Sequence, residues 1–327
     1  MTMRYYLMIL TYTIGLTSFA QLKDSASNSF STENYFSLNY DNDFFSATDR
    51  YYTQGIQLNF IHSIVKHSPL SHVLIKLNKK ALNYYGLHLE QDVFTPKSIR
   101  YKEGAIYYGE RPFTAVFFLS HSLTSINPIK RASHTSQLDL GFMGPWAKGE
   151  EEQKGIHKAL DNIEPQGWQN QLSNDYVLNY RTKIEKGLIN KNYFEFIGSI
   201  TARAGSLYTD FGAGFTMRFG RMSPYFNNLG IEKKESSRKN DFKIYGLVVF
   251  NSKLIGFNAT LQGGLTNSGN TYQLPSSAVS RFVIDGTLGA VVAYKRVSVS
   301  YSKTYISPEF IGGVDHSWGT CAVTVCF

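Results

Sequence analysis

The chain has 327 residues, of which 43% are apolar and 15% aromatic, with 22 Tyr, 23 Phe and a formal net charge of +8. Past the N-terminal region there is no run of about 18 consecutive apolar residues, so no transmembrane helix is predicted. The two cysteines, Cys321 and Cys326, have no metal-ligand spacing.

Met1–Ala20 carries one basic residue, Arg4, then the apolar core "YYLMILTYTIGL", then small residues at Ser18 and Ala20. This pattern predicts a cleaved secretory signal peptide over 1–20, leaving one domain over 21–327. For an exported chain, the basic charge points to an anionic glycolipid surface rather than nucleic acid, or simply to solubility. An exported, aromatic-rich chain without helical spans has the bulk signature of a transmembrane β-barrel.

Period-2 alternation recurs along the mature chain. Candidate strands fall near 33–43, 53–65, 84–95, 111–122, 134–143, 175–187, 192–203, 208–219, 241–251, 254–265, 280–293, 295–305 and 318–327. In "DFGAGFTMRFG", Phe211, Ala213, Phe215, Met217 and Phe219 share one face, with Asp210, Thr216 and Arg218 on the other. "VSVSYSKTY" sets Val297, Val299 and Tyr301 against Ser298, Ser300 and Ser302. In "TCAVTVCF", Cys321, Val323, Val325 and the terminal Phe327 share a face. Five extended residues separate Cys321 from Cys326 by roughly 17 Å, beyond disulfide reach, so both are expected as free thiols on opposite faces. Single-chain outer-membrane barrels have an even strand number. The 254–265 segment, which follows its predecessor with almost no turn, is therefore set aside as an excursion. The expected fold is all-β: a transmembrane antiparallel up-and-down barrel of about 12 strands. A β-sandwich with a polar outer face is the competing architecture. "EKGLIN" is expected as a short turn and "MSPYFNNLGIEKKESSRKN" as a long polar loop.

Two places interrupt the strand rhythm. The first is "NYDNDFFSATDRYYTQGIQLNF", residues 39–60, where Asn42 and Asp43 end one strand and Thr53 opens the next. A carboxylate, an amide, a hydroxyl and nearby carbonyls suit Ca²⁺ better than zinc. The same residues also suit a solvated hairpin tip. The second is "GPWAKGEEEQKGIHKALDNIEPQGWQNQLSND", where Glu150–Asn162 favours a short helix in a loop between strands. Glu150, Glu151 and Glu152 fit its N-terminus. Gln153, His157 and Leu160 share a face by spacing, which makes His157 either a candidate catalytic base or a packing residue. No G-x-S-x-G elbow is present, so activated water fits a hydrolase here better than a serine nucleophile.

The blocks "NDFFSATDRYYTQGIQL", "QDVFTP", "GERPFTAVFFL" and "GFMGPWAKGEEEQKGIHKALDNIEPQGWQNQL" together resemble the outer-membrane lipid A 3'-O-deacylase (LpxR-like) family. The resemblance implies a twelve-stranded barrel that needs Ca²⁺ and removes the 3'-linked acyloxyacyl group of lipid A. It places the site between the barrel wall and a helix from an extracellular loop. Carried over, the family's Asn-Asp pair falls on Asn42 and Asp43, its hydroxyl on Thr53 and its histidine on His157. The expected roles are Asp43 for the metal, His157 as base, and Asn42, Thr53 and Lys102 as hydrogen-bond donors. Glu164 is expected to orient the imidazole. The chain departs from many members in having Glu110 where they have Asp. The expected partners are lipid A or lipopolysaccharide as substrate and outer-membrane lipid, with no nucleic acid. The oligomeric state is left open, a monomer being the expectation. An outer-membrane phospholipase and a non-enzymatic structural or adhesion barrel are the alternatives.

Overall fold

The computed structural model describes residues 34–46, 50–77, 81–99, 108–226, 242–267, 270 and 272–327. The expected signal segment 1–20 and Lys102 lie outside the described residues.

Strands β1 (Tyr35–Asn42), β2 (Tyr51–Ile61), β3 (Leu82–Thr95), β4 (Thr114–Asn127), β5 (Ala132–Met143) and β6 (Asp175–Lys191) form the first half. Strands β7 (Phe194–Gly205), β8 (Tyr208–Arg221), β9 (Phe242–Asn258), β10 (Phe282–Tyr294), β11 (Val297–Ile306) and β12 (His316–Cys326) form the second. Each pairs antiparallel with its sequence neighbours, and β1 closes on β12 with Tyr35 opposite Cys326 and Asn42 opposite Gly319. The expected twelve-stranded barrel is the observed one. Closure leaves no open sheet edge, which is what lets strands cross a membrane.

The alternation sorts side chains between wall and lumen. Outward positions carry exposed apolar residues such as Leu119, Leu140, Leu178, Phe211, Ile244 and Leu288. The inward set is charged and paired: Arg181 with Asp139 at 2.6 Å, Arg203 with Asp210 at 2.5 Å and Arg218 with Glu195 at 2.6 Å. The three arginines and Asp210 border a luminal cavity of about 570 Å³. Tyr225 and Phe226 fold back into one mouth, where the Tyr225 hydroxyl donates to Glu185 at 2.8 Å. Tyr51, Leu261, Leu274, Val279 and Phe310 pack together at the other.

Several boundaries differ from the sequence reading. The candidate strands 241–251 and 254–265 are one long strand, β9, followed by a single helical turn, Ala259–Gln262. "EKGLIN" is not a turn: it continues β6 through a bulge between Gly187 and Ile189, and the chain reverses at 192–193. The loop after Arg221 leaves from that same barrel end, and its residues 227–241 lie outside the described residues. Cys321 and Cys326 are both free thiols, as expected.

Short turns at 192–193 and 295–296 mark the periplasmic end, shared by the start of β1 and the end of β12; the longer excursions 96–113, 144–174 and 259–281 mark the extracellular end. The predicted helix, α1 (Gly149–Ala159), sits in the 144–174 excursion. It ends before Leu160, which is its C-cap and is exposed, so only Gln153 and His157 of the expected face are buried.

Candidate active site on the outer wall

The polar patch starts where β1 ends. Asn42 accepts a hydrogen bond from the Phe44 amide at Oδ1, 2.8 Å, and donates through Nδ2 to the Tyr40 hydroxyl, 2.9 Å. These two bonds fix the amide and turn the chain into a one-turn 3-10 helix, Asp43–Ser46. Asp43 is buried, and its Oδ2 accepts from the Arg50 amide at 2.7 Å, closing the loop between β1 and β2.

A bulge shapes the next part. The pairing of β2 with β3 shifts between Tyr52 and Gln54. Tyr52 points inward, its hydroxyl lying 2.8 Å from Asp41 and 2.9 Å from Asp92. Gly55 also borders the lumen. Thr53 and Gln54 therefore both face out, as an extra residue in one strand requires. Gln54 lies directly across from Asn42 in the β1–β2 register. The Thr53 and Thr95 hydroxyls are 2.7 Å apart, both buried.

α1 lies over the same outer face. Val93, Phe113, Ala115, Ala147 and Trp168 form one apolar cluster between β3, β4 and the 144–174 excursion. The fit is tight: a Cβ on Gly149 would come 2.5 Å from the Ala115 Cβ and 2.9 Å from the Trp168 ring. The Gln91 side chain donates to the Ala147 carbonyl at 2.7 Å, tying the wall to the helix entry. On the buried face, the Trp168 indole donates to Gln153 Oε1 at 2.8 Å. The Gln153 Nε2 then has no partner among the described residues, and neither does Nε2 of Gln54 on the wall. A buried unpaired donor costs about 1–3 kcal/mol, so each of these amides is suited to receiving an acceptor.

One turn beyond Gln153, buried His157 has its Nδ1 2.6 Å from the Ile163 carbonyl. A carbonyl only accepts, so Nδ1 carries the proton, and neutral His157 keeps its lone pair on Nε2. Glu164 is placed differently from its expected role on the imidazole: its carboxylate is 3.3 Å from Lys154 Nζ, which also holds Glu150 at 2.9 Å. The acidic first turn and the basic last turn of α1 complement its dipole. Glu152 is half-buried with Oε2 unpartnered among the described residues, and burial pushes its carboxyl up to about 7. Glu110 accepts from the Arg111 amide at 2.7 Å. Buried Arg111 holds Glu309 at 2.7 Å and Thr260 at 2.8 Å, so this block pins the extracellular excursions to one another.

The structure thus puts Asn42, Thr53 and the Asp43 turn at the extracellular rim of β1 and β2, and His157 on a helix packed against the outer face of β3 and β4. Thr95, Gln54 and the Ile163 carbonyl were not singled out from sequence. The bulge has no residue-type signature, and a backbone acceptor has none at all. For Ca²⁺, the candidate donors at the rim are hard oxygens, while among the described residues no three His, Cys, Asp or Glu side chains gather into a metal-binding cluster. A buried Asp43 carboxylate with adjacent amide and backbone oxygens fits that cation.

Comparison with known proteins places the fold in a family. The family model for the outer membrane protein LpxR matches residues 7–327. The fold is similar to that of LpxR from Salmonella typhimurium, with a TM-score of 0.70 at 20% identity, covering 89% of this chain and 99% of that one. It is also similar to the beta domain of the Bordetella autotransporter BrkA, with a TM-score of 0.44 at 10% identity, covering 90% and 98% of the two chains. No curated protein sequence matches the chain. Residues 7–327 span nearly the whole sequence, and so the chain belongs to the LpxR family of outer-membrane lipid A 3'-O-deacylases, which are carboxylic ester hydrolases.

Proposed function

We propose that this chain removes the 3'-linked acyloxyacyl group of lipid A by calcium-dependent ester hydrolysis, with His157 as the general base for water. The observation that carries the reading is the bond from His157 Nδ1 to the Ile163 carbonyl, which makes Nε2 the basic nitrogen of a buried imidazole on α1. The imidazole takes a proton from water as the water oxygen attacks the ester carbonyl. The same proton passes to the departing sugar oxygen, giving a free 3'-hydroxyl and a fatty acid. Thr53 has a hydroxyl and Asn42 a second amide hydrogen to offer the carbonyl oxygen, and the unpartnered amides of Gln54 and Gln153 are further donors. Lys102 keeps the donor role carried over from the family. Glu164 acts at one remove: through Lys154 it holds the turn that presents the Ile163 carbonyl. Asp43 and neighbouring backbone oxygens would hold calcium, which when bound supplies positive charge to stabilise the developing oxyanion.

The test is mass spectrometry of lipid A incubated with the full-length protein in detergent. Loss of the 3' acyloxyacyl group, abolished by chelation and restored by Ca²⁺, is expected. His157→Ala should lose on the order of 10²–10⁴ in rate, and Asp43→Asn should lose its calcium response. A folded His157→Ala variant that retains full activity overturns the base assignment, and lysophospholipid formed with lipid A untouched overturns the substrate.

A further inference from the structure

The connection between β2 and β3 does not hang below the barrel. Its two 3-10 helices, Ser63–His67 and Pro69–Val73, climb the outside of the wall. His62 and Ser68 cap them, accepting from the Ile64 and Leu70 amides. Val65 and Leu74 pack on Tyr85 and Leu123, which point outward from β3 and β4.

The wall beneath this segment is unusual for a lipid-facing surface. Going down the outward positions of β4, Phe117 and Leu119 give way to His121; on β5, Leu140 and Leu138 give way to Ser136 and His134. Such polar groups are costly against hydrocarbon. Here each has a partner from the segment. The Ser71 hydroxyl meets His121 Nε2 at 2.8 Å, while His121 Nδ1 donates to the Gly86 carbonyl at 3.2 Å. His134 Nδ1 donates to the Ile75 carbonyl at 3.2 Å, and Ser136 accepts from the Ile75 amide at 3.0 Å. The Tyr180 hydroxyl donates to the Val73 carbonyl at 3.1 Å.

The other side of the segment is apolar and exposed: Ile64 63%, Val73 53%, Ile75 55% and Leu70 38%. His121 lies six positions up from Asn127 at the periplasmic end of β4, or roughly 15 Å along the barrel axis for a tilted strand. That is the depth of acyl chains in the periplasmic leaflet, and the exposed residues continue the apolar belt of Leu119 and Leu140 above them. The same segment carries Lys66 and Lys76.

We propose that residues 62–77 form a lipid-embedded flap that replaces the barrel wall in the periplasmic leaflet. Its apolar face meets phospholipid acyl chains, and Lys66 and Lys76 bind the phosphates of anionic phospholipid headgroups. This is a second lipid contact, on the opposite leaflet from the proposed deacylation site and independent of it.

The experiment uses the full-length protein with Cys321→Ser and Cys326→Ser, spin-labelled singly at Val73→Cys, Ile75→Cys or Lys295→Cys. It is reconstituted in vesicles of phosphatidylcholine, alone or mixed equally with phosphatidylglycerol. Labels at 73 and 75 should relax several-fold more with oxygen than with a water-soluble nickel chelate, and the label at the 295–296 turn should show the reverse. A label at 73 as open to nickel as the one at 295 overturns the proposal. A label shielded from both reagents also overturns it, since protein, including a second copy, would then be the cover. Phosphatidylglycerol should further immobilise the label at 73, and Lys66→Gln with Lys76→Gln should abolish that response. Identical spectra in the two lipids overturn the headgroup assignment.

Discussion

Gly149 is where the position of α1 can be changed without touching a reacting group. An alanine there would place its Cβ 2.5 Å from the Ala115 Cβ and 2.9 Å from the Trp168 ring, neither of which is a flexible chain end. Ordinary carbon contacts lie at about 3.5–4.0 Å, so the helix entry must lift by roughly 1 Å to accept the methyl. A rigid lift carries His157 outward by the same amount. Misplacement of about 1 Å costs on the order of 10²-fold in rate, or about 2.7 kcal/mol. A helix that hinges at its far end, where the Gln166 amide is held by the Ile99 carbonyl at 3.0 Å, moves His157 less. Gly149→Ala should therefore fall between about tenfold and about 10²-fold in deacylation of lipid A. The local overpacking, about 1–3 kcal/mol, should leave the heat-modifiable gel mobility of the barrel intact. Gly155→Ala is the control: nothing lies within 4 Å of its would-be Cβ. It should keep full activity and stabilise the helix by about 0.5–1 kcal/mol. A folded Gly149→Ala protein with wild-type turnover would show that the seating of the helix on the wall does not govern the chemistry, and the proposed site between helix and wall would fall.

Other expectations follow from single contacts. Thr53→Val removes the partner of the buried Thr95 hydroxyl, which should cost about 1–3 kcal/mol of stability together with activity, while Thr53→Ser should retain most of both; urea unfolding in vesicles and turnover measure the two. Trp168→Phe strips the donor from Gln153 Oε1, and faster amide exchange across α1 is the expected readout. Burial raises the Glu152 carboxyl to about 7 from 4.5. The docked helix thus binds a proton that the undocked one has released, so docking is fully favoured below pH about 4.5 and weakens as pH rises through about 7. Intrinsic-rate-corrected hydrogen exchange of 149–159 should show this trend, and Glu152→Gln should flatten it. Tyr225→Ala with Phe226→Ala empties one mouth of the lumen, and planar-bilayer recordings should show raised ion conductance against wild type.

How far the sequence reads through to this structure depends on where each signal resides. Strands β8, β11 and β12 were legible because wall and lumen demand opposite chemistry every second residue, as in Phe211 against Asp210. β9 reads as two segments with almost no turn between them; in the barrel Asn251 and Ser252 face Gly214 and Ala213 as ordinary rungs, with Asn251 donating to Asp285 in the lumen at 2.8 Å. The helix that carries His157 is legible because it visibly interrupts a strand rhythm, and the strand end at Asn42 because amide and acidic residues follow an alternating run. The Thr53–Gln54 bulge could not be found, since a bulge is a property of pairing and exists only once β3 lies beside β2. The partners of His121 and His134 are not legible in the sequence, because they come from a segment whose climb up the wall no local pattern encodes.

The placement of the polar groups has its own logic. A barrel offers two places for buried polarity, and this one uses both. In the lumen the charges are matched in pairs, Arg181 with Asp139 and Arg218 with Glu195, and packed residues occupy each mouth. A lipid held by its acyl chains in the membrane cannot enter there. On the outside, at the extracellular rim, the polar groups are left incompletely matched, with the amides of Gln54 and Gln153 unpartnered among the described residues. An ester of an outer-leaflet lipid approaches from the side and needs to rise only to the rim, its chains remaining in hydrocarbon. The energy that would oppose extracting those chains, about 0.8 kcal/mol for each CH₂ removed from an apolar setting, would be avoided by a site on the outer wall and not by one in the lumen. That difference makes the outer face of the wall, rather than the charged cavity within the barrel, the side from which a membrane-held lipid is most readily reached.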